Sequence, residues 1–181
     1  MGALDYLPHY TYDDYKSWEG KWELFEGFPI AMSPAPMINH QAIAGNILFE
    51  LKSNSEECDR CLVIGESDYK LSDDTVLRPD VVLICDEPND SYITKAPEII
   101  VEVISKSTAK NDEGYKFKKY EAEKVKYYVI VYPDELYAKV YKLIDGKYDK
   151  QGDFSIQTYD FDETLCGVSV DFDKVFKRFR K

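Results

Sequence analysis

The stretch Glu98–Ile104, EIIVEVI, decides the fold. Its apolar residues are all β-branched, and they run on without polar alternation. That is the mark of a strand covered on both faces at the centre of a sheet. A second such run, Lys126–Tyr132, KYYVIVY, follows after a polar loop at Ser105–Lys110 and a helical stretch over 111–124. Two buried strands joined through a helix make a strand–helix–strand crossover.

Working outward, the flanks supply strands and shorter helices. Residues 11–18 predict a short helix with Thr11 as its cap. WELFEG (22–27) alternates like a strand, and FPIAMS (28–33) follows Gly27 as its hairpin partner. Pro34 and Pro36 pre-set a helix start, and from Met37 to Leu51 the residues Ile43, Ile47, Leu48 and Leu51 recur at helical spacing. CLVIGESDYKL (61–71) and TVLRPDVVLIC (75–85) each read as a strand, joined by a turn at Ser72-Asp73-Asp74. Beyond the crossover, LYAKVYKLI (136–144) is a strand ending at the Asp145-Gly146 turn, and DFDKVFKRF (171–179) is a short C-terminal helix. The expected architecture is α/β (α+β), a mixed central sheet with helices on one face. No repeat or linker divides the chain, so a single domain over residues 1–181 is expected.

The chain carries 34 acidic and 23 basic residues, a net charge of −11. That balance argues against a protein that grips phosphates over its whole surface. The lysines are unevenly spread, however: Lys106, Lys110, Lys116, Lys118, Lys119, Lys124 and Lys126 fall in one stretch, and Lys174, Lys177, Arg178, Arg180 and Lys181 close the chain. They predict a local basic surface. No apolar run approaches the roughly 20 residues of a membrane span, and the start, MGALDYLPHYTYDD, lacks a basic region followed by an apolar one. A cytoplasmic location is expected. Cys58-Asp-Arg-Cys61 is a lone CxxC; with Cys85 and Cys166 distant in sequence and no second close pair, the four are read as incidental thiols.

Two acids stand out by position. Asp80 follows Pro79 at the head of VVLIC, and Glu102 lies inside EIIVEVI, where a charge is costly unless paired or metal-bound. Glu102 either turns to solvent, pairs with a buried lysine, or joins Asp80. Two carboxylates from neighbouring strands form a hard-oxygen site suited to Mg²⁺, which can promote attack on a phosphodiester. No P-loop, glycine-rich phosphate loop or nucleophile elbow offers another chemistry.

Pro79-Asp80, then Glu102-Val103-Ile104-Ser105, then Asp112, Lys116 and Tyr120 at intervals of four, resemble the Uma-type restriction-endonuclease family, a branch of the PD-(D/E)xK nuclease superfamily. Glu23, Gly27, Met32-Ser33-Pro34 and His40 resemble the family's opening pattern, and Val125, Tyr127, Tyr128 and Tyr132-Pro133 its strand after the crossover. The resemblance runs from about residue 11 to residue 143. It implies a restriction-endonuclease-like sheet flanked by helices, with Asp80 and Glu102 as ligands of Mg²⁺ (Mn²⁺ as a substitute) and Glu23 as a third acid. It also implies a DNA substrate and a homodimer, for which the Tyr-rich strands after residue 126 offer apolar surface.

One position departs from the superfamily pattern. The lysine expected two residues after Glu102 is Ile104 here, and Lys116 on the crossover helix takes its place, with Lys106 as competitor. The plainer reading of Asp112 and Lys116 is a solvent-facing ion pair contributing about 0.3–0.5 kcal/mol; if Lys116 instead serves the site, Lys116→Ala is expected to cut cleavage roughly 10²-fold or more with the melting temperature little changed. His40 shares a face with Ile43, Ala44 and Ile47 and reads as a packed or hydrogen-bonded histidine; Tyr120 and Tyr128 read as core or dimer-contact aromatics. Two functions remain: a Mg²⁺-dependent endonuclease acting on DNA, and a nuclease-fold binding or assembly module with little activity.

Overall fold

The computed structural model describes residues 7–32 and 37–180. The chain opens with the helix α1 (Tyr12–Tyr15), where the Asp14 carboxylate accepts from the Thr11 backbone N–H at 2.9 Å. The hairpin β1 (Trp22–Phe25) and β2 (Phe28–Ala31) follows. Its two-residue turn places Glu26 at φ 48° and Gly27 at φ 81°, the primed geometry that matches strand twist. A Cβ on Gly27 would also lie 2.2 Å from the His9 ring, so the position is closed to other residues on both counts. Pro34 and Pro36, read as setting a helix start, and Ser33 lie outside the described residues, as do residues 1–6 and 181.

The long helix α2 (Ile38–Asn54) buries Ile43, Ile47 and Leu51, spaced four apart on one face. Then come β3 (Cys61–Gly65), β4 (Tyr69–Ser72), β5 (Thr75–Leu77) and β6 (Val81–Cys85). Here the structure corrects the sequence reading. CLVIGESDYKL and TVLRPDVVLIC each break into two strands, and the halves go to different sheets. β3 and β6 join a six-stranded sheet, while β4 and β5 join a four-stranded one in the order β2-β1-β5-β4. In the second stretch the break falls at Arg78-Pro79-Asp80, and proline cannot donate to a continuing ladder.

The expected crossover is present. β7 (Ile99–Val103) pairs parallel with β8 (Tyr127–Tyr132), and between them lie a π-helical turn (Asn111–Lys116) and α3 (Phe117–Ala122). The helix read over 111–124 therefore begins as a wider coil. β9 (Tyr137–Ile144) and β10 (Lys147–Phe154) complete the sheet, in the order β10-β9-β8-β7-β6-β3. All its other pairings are antiparallel. β10 and the small hairpin β11 (Thr158–Phe161) and β12 (Val168–Asp171) were not read from sequence. The tail helix α4 (Phe172–Phe176) was, in register, with Asp171 capping it.

The side chains of β7 separate two cores. Ile99, Val101 and Val103 face α2, α4 and the β11–β12 hairpin, while Ile100 and Ile104 face Tyr120, Tyr128 and Ile130. Helices thus cover both faces of the sheet, not one as expected. Tyr127, Tyr128 and Tyr132 are buried within the chain, so the apolar surface expected there for a dimer is already used by the chain's own core. No helix among the described residues is long and apolar enough to cross a membrane.

The cysteine reading is overturned. Cys58 is bonded to Cys166 and Cys61 to Cys85; no described cysteine is free. Sequence separations of 108 and 24 hid both partnerships.

Ile100 is fully buried on the face of β7 that carries Glu102. Ile100→Ala should destabilise the chain by about 2–5 kcal/mol, read as a lower urea midpoint with an unchanged slope.

Candidate active site

Four carboxylates and one lysine converge at the end of the parallel pair. The register of β6 against β7 pairs Val82 with Ile100 and Val81 with Val101. One further step along both strands sets Asp80 opposite Glu102, the directly facing position where side chains on one face meet. The contact is fixed from the backbone side as well, because the Val103 N–H donates to Asp80 Oδ2 at 2.7 Å. Even-numbered residues of both strands point to the face that carries α3.

Glu23 arrives from the other sheet. β1 pairs with β5 through Leu24 and Val76, and the chain leaves β5 for β6 at Arg78–Asp80. There the Arg78 backbone N–H donates to Glu23 Oε1 at 2.8 Å. The same break that separates the sheets therefore carries Glu23 to the site, and it leaves that side chain buried. The alternative of an ordinary strand-edge carboxylate is excluded.

Lys116 reaches the acids from the last residue of the π-helical turn. Its ammonium lies 2.7 Å from Glu23 Oε1, 3.0 Å from Glu102 Oε1 and 3.3 Å from Asp112 Oδ1. Lys116 is 3% exposed. The solvent-facing Asp112–Lys116 pair is thereby ruled out, and the alternative in which Glu102 pairs with a buried lysine is met. π-turns recur at functional sites because the inserted residue redirects side chains, and here Asp112 and Lys116 both turn inward.

Three neighbours complete the shell. The Tyr120 hydroxyl donates to Glu102 Oε1 at 2.9 Å, and the Tyr128 hydroxyl donates to the Asp112 carbonyl at 2.9 Å. Both tyrosines are core residues, but Tyr120 also positions a site carboxylate. His40 Nε2 stands 3.4 Å from Asp80 Oδ2, while its buried Nδ1 has no described partner. His40 is thus a hydrogen-bonding residue at the site itself. The family resemblance pointed to Asp112, Lys116 and Tyr120, whose spacing alone read as a surface pair; His40 matched the same pattern, but its helix face read as packing.

These groups open into a cavity of about 580 Å³, lined by Glu23, His40, Asp80, Glu102, Asp112 and Lys116, with Lys106 beside them. Lys106 is exposed and forms no ion pair among the described residues. The basic stretch is otherwise partly neutralised: Lys119 pairs with Glu26 and Lys126 with Glu98.

Burial pushes Glu102 well above the usual carboxylate range; Lys116 pulls it down, but Asp112, Asp80 and Glu23 raise it again. Asp112 is raised by burial against the pull of Lys116. Burial opposes the charge on Lys116, yet Glu102, Glu23 and Asp112 outweigh it and hold the ammonium protonated. Burial likewise opposes a charge on His40, but the bond to and charge of Asp80, the Val103 backbone and the charge of Glu66 together outweigh it and raise the ring above its ordinary value. One ammonium does not balance four carboxylates in a shared site, so the neighbouring acids add to burial in holding Glu102 above its ordinary value.

Hard oxygen donors in this number suit Mg²⁺ or Mn²⁺ and suit softer metals poorly. The bonds described engage Asp80 Oδ2 and Glu102 Oε1, and the second oxygen of each takes part in none of them. The donor set therefore fits such an ion.

Comparison with known proteins bears on the family and the fold. The family model Uma2, described as "Putative restriction endonuclease", matches residues 12–165. The chain is also similar to the crystal structure of a "putative nuclease belonging to DUF820" from Anabaena variabilis, with TM-score 0.72 and 16% identity over 92% of this chain and 97% of that one. That likeness establishes a shared nuclease-type fold. No curated protein matches.

With its pKa raised in the folded state, Glu102 holds its proton more firmly folded than unfolded. The stability so gained is lost as pH rises through the raised value. Glu102→Gln fixes the neutral form, so in the presence of chelator its melting temperature should gain on the parent's from mildly acidic to mildly alkaline pH. A constant difference across that range would show that Glu102 is ionised throughout.

Proposed function

The chain belongs to the Uma2 restriction-endonuclease family, and from that premise we propose that it is a Mg²⁺-dependent endonuclease hydrolysing DNA phosphodiester bonds. The observation that carries the reading is the convergence of Asp80 and Glu102 from adjacent strands, with Lys116 in contact with Glu102. Asp80 and Glu102 would hold the ion. Mg²⁺ bound there would supply Lewis acidity toward the scissile phosphate.

The other residues act on position and charge. The Val103 N–H and His40 orient Asp80, leaving its second oxygen toward the cavity. Tyr120 holds Glu102 in the same way. Lys116, kept charged by Glu23 and Asp112, stands where the superfamily's strand lysine would point, since Ile104 lies on the same face of β7 as Glu102. Its ammonium would stabilise charge developing on the phosphate and orient the attacking water, an electrostatic contribution of several kcal/mol. Lys106 at the cavity rim would meet the DNA backbone. Cleavage of both strands calls for two such sites, so the proposal includes a homodimer, and DNA as substrate implies a cytoplasmic location.

A second reading, a nuclease-fold binding module, is favoured by the net charge of −11 and by an ammonium already committed to three carboxylates. Plasmid cleavage with Mg²⁺ or Mn²⁺ separates the two. Asp80→Asn and Glu102→Gln should each lower the rate by roughly 10²-fold or more with the fold retained. A parent protein that shifts DNA in a gel but never cuts it would leave the binding module standing.

Lys116→Ala should also abolish cleavage, but the sequence expectation of an unchanged melting temperature does not survive the burial. Removing the cation strands three buried carboxylates, and such changes cost about 3–5 kcal/mol. Lys116→Arg is therefore the companion variant: it keeps the charge, should remain folded, and should recover only part of the activity because a planar fork replaces a compact ammonium. Normal cleavage by Lys116→Arg together with an inactive Lys106→Ala would move the role to the rim lysine. Light scattering at micromolar concentration should give twice the chain mass.

A further inference from the structure

Three cysteines, two of them from one CxxC, meet at one point apart from the carboxylate cavity, and the fourth is joined to that cluster through Cys61. The sulfurs of Cys58, Cys61 and Cys166 lie within 4.8 Å of one another, and that of Cys85 is bonded to Cys61. Stapling the chain with two disulfides does not require the two bonds to touch. A tetrahedral metal site does require four sulfurs together: with Zn–S near 2.3 Å, neighbouring sulfurs stand about 3.8 Å apart. We propose that the four cysteines, when reduced, form a structural Zn²⁺ site of the Cys₄ type, and that the paired disulfides are its oxidised counterpart.

The backbone holds the cysteines together without help from the sulfur bonds. Cys58 and Cys61 bracket the turn between α2 and β3, where the Cys58 N–H donates to the Ser55 carbonyl at 3.0 Å and the Cys61 N–H to the Cys58 carbonyl at 3.3 Å. Cys61 is held opposite Cys85 by the β3–β6 register. The turn is tied to the end of β6 a second time, because the Asp86 N–H donates to the Arg60 carbonyl at 2.8 Å and Arg60 Nε donates to the Asp86 carboxylate at 3.1 Å.

Cys166 comes from the loop between β11 and β12. Just before it, the Leu165 N–H donates to Glu98 Oε2 at 3.1 Å. Just after it, Gly167 turns the chain at φ 57° and its N–H donates to the Thr164 carbonyl at 3.2 Å. Breaking both S–S bonds therefore leaves the thiols of Cys58, Cys61 and Cys166 clustered, with Cys85 held beside Cys61 by the strand register. Rotation about the Cα–Cβ bonds then opens each contact to metal spacing.

The chemistry balances with a phosphine as reductant. Each disulfide takes up two electrons and two protons, and the phosphine leaves as its oxide with oxygen from water. One Zn²⁺ then displaces up to four thiol protons. The ion links the α2–β3 turn, β6 and the β11–β12 loop, replacing two covalent ties with one coordinate centre.

The test uses the whole chain, reduced anaerobically with phosphine and freed of excess reductant. Co²⁺ added to it should produce thiolate-to-metal charge-transfer absorption that saturates at one ion per chain and is bleached by Zn²⁺. Zn²⁺ should raise the melting temperature of the reduced protein and leave the oxidised protein unchanged. Cys166→Ser and Cys85→Ser should weaken or remove the band, whereas Asp80→Asn should not, which separates this site from any cobalt held by the carboxylates. Reduced parent protein that gives no thiolate band overturns the proposal even where a cysteine variant fails to fold. So does a band that keeps its full intensity in Cys166→Ser.

Discussion

The Lys116 ammonium is the point on which the arrangement of the site depends. It touches Glu23 from the four-stranded sheet, Glu102 from the six-stranded one and Asp112 from its own π-helical turn. None of these acids could be buried charged without it. The ammonium, in turn, could not stay charged in that environment without them. The four groups are thus mutually conditional, and their positions fix the two sheets and the crossover segment relative to one another. Such a cluster is weak evidence for net stability; its value is that only one arrangement of the elements satisfies it.

The break at Arg78-Pro79-Asp80 is the second constraint. Had residues 75–85 continued as one strand, β1 would have stayed beside it in a single sheet and Glu23 would have remained a strand-edge acid. Proline ends the ladder, the chain changes sheets, and two things follow at once. The Arg78 N–H, freed from ladder duty, turns to Glu23, and Asp80 emerges at the head of β6 facing Glu102. A Pro-Asp pair therefore acts through backbone chemistry before any role of the carboxylate is considered.

That distinction explains what the sequence made legible. EIIVEVI and KYYVIVY announced the central parallel pair because burial on both faces leaves no alternation to confuse. Asp80 and Glu102 were visible as acids set against apolar runs, whereas Glu23 and Lys116 came into view only through the family resemblance. The split of two long strands between sheets was not visible, since β-branched runs on either side of residues 66–68 and 78–80 look the same whether or not they share a sheet. β10–β12 were missed for a different reason. β10, Lys147–Phe154, is rich in charge and largely exposed, and an outer strand of that kind carries little hydrophobic period. The four-cysteine cluster depends wholly on long-range placement, which no local spacing encodes.

The acidic character of the chain bears on how a polyanion would approach the site. Three of the seven cations in the 106–126 stretch are not available as a surface: Lys116 is interior, and Lys119 and Lys126 are paired with Glu26 and Glu98. Lys21, also at the cavity, is paired with Glu66. Lys106 is the cavity-lining lysine with no such partner among the described residues, so little cationic charge inside the cavity itself stands ready to offset phosphate. An active site of four carboxylates would repel DNA further, unless the acids are themselves neutralised. A divalent ion bound at Asp80 and Glu102 would supply that neutralisation, converting a repulsive cavity into one that accepts a phosphate. On this argument metal and nucleic acid bind in linked fashion, each favouring the other through charge alone, and the net charge of −11 is compatible with a nuclease whose grip on DNA is local.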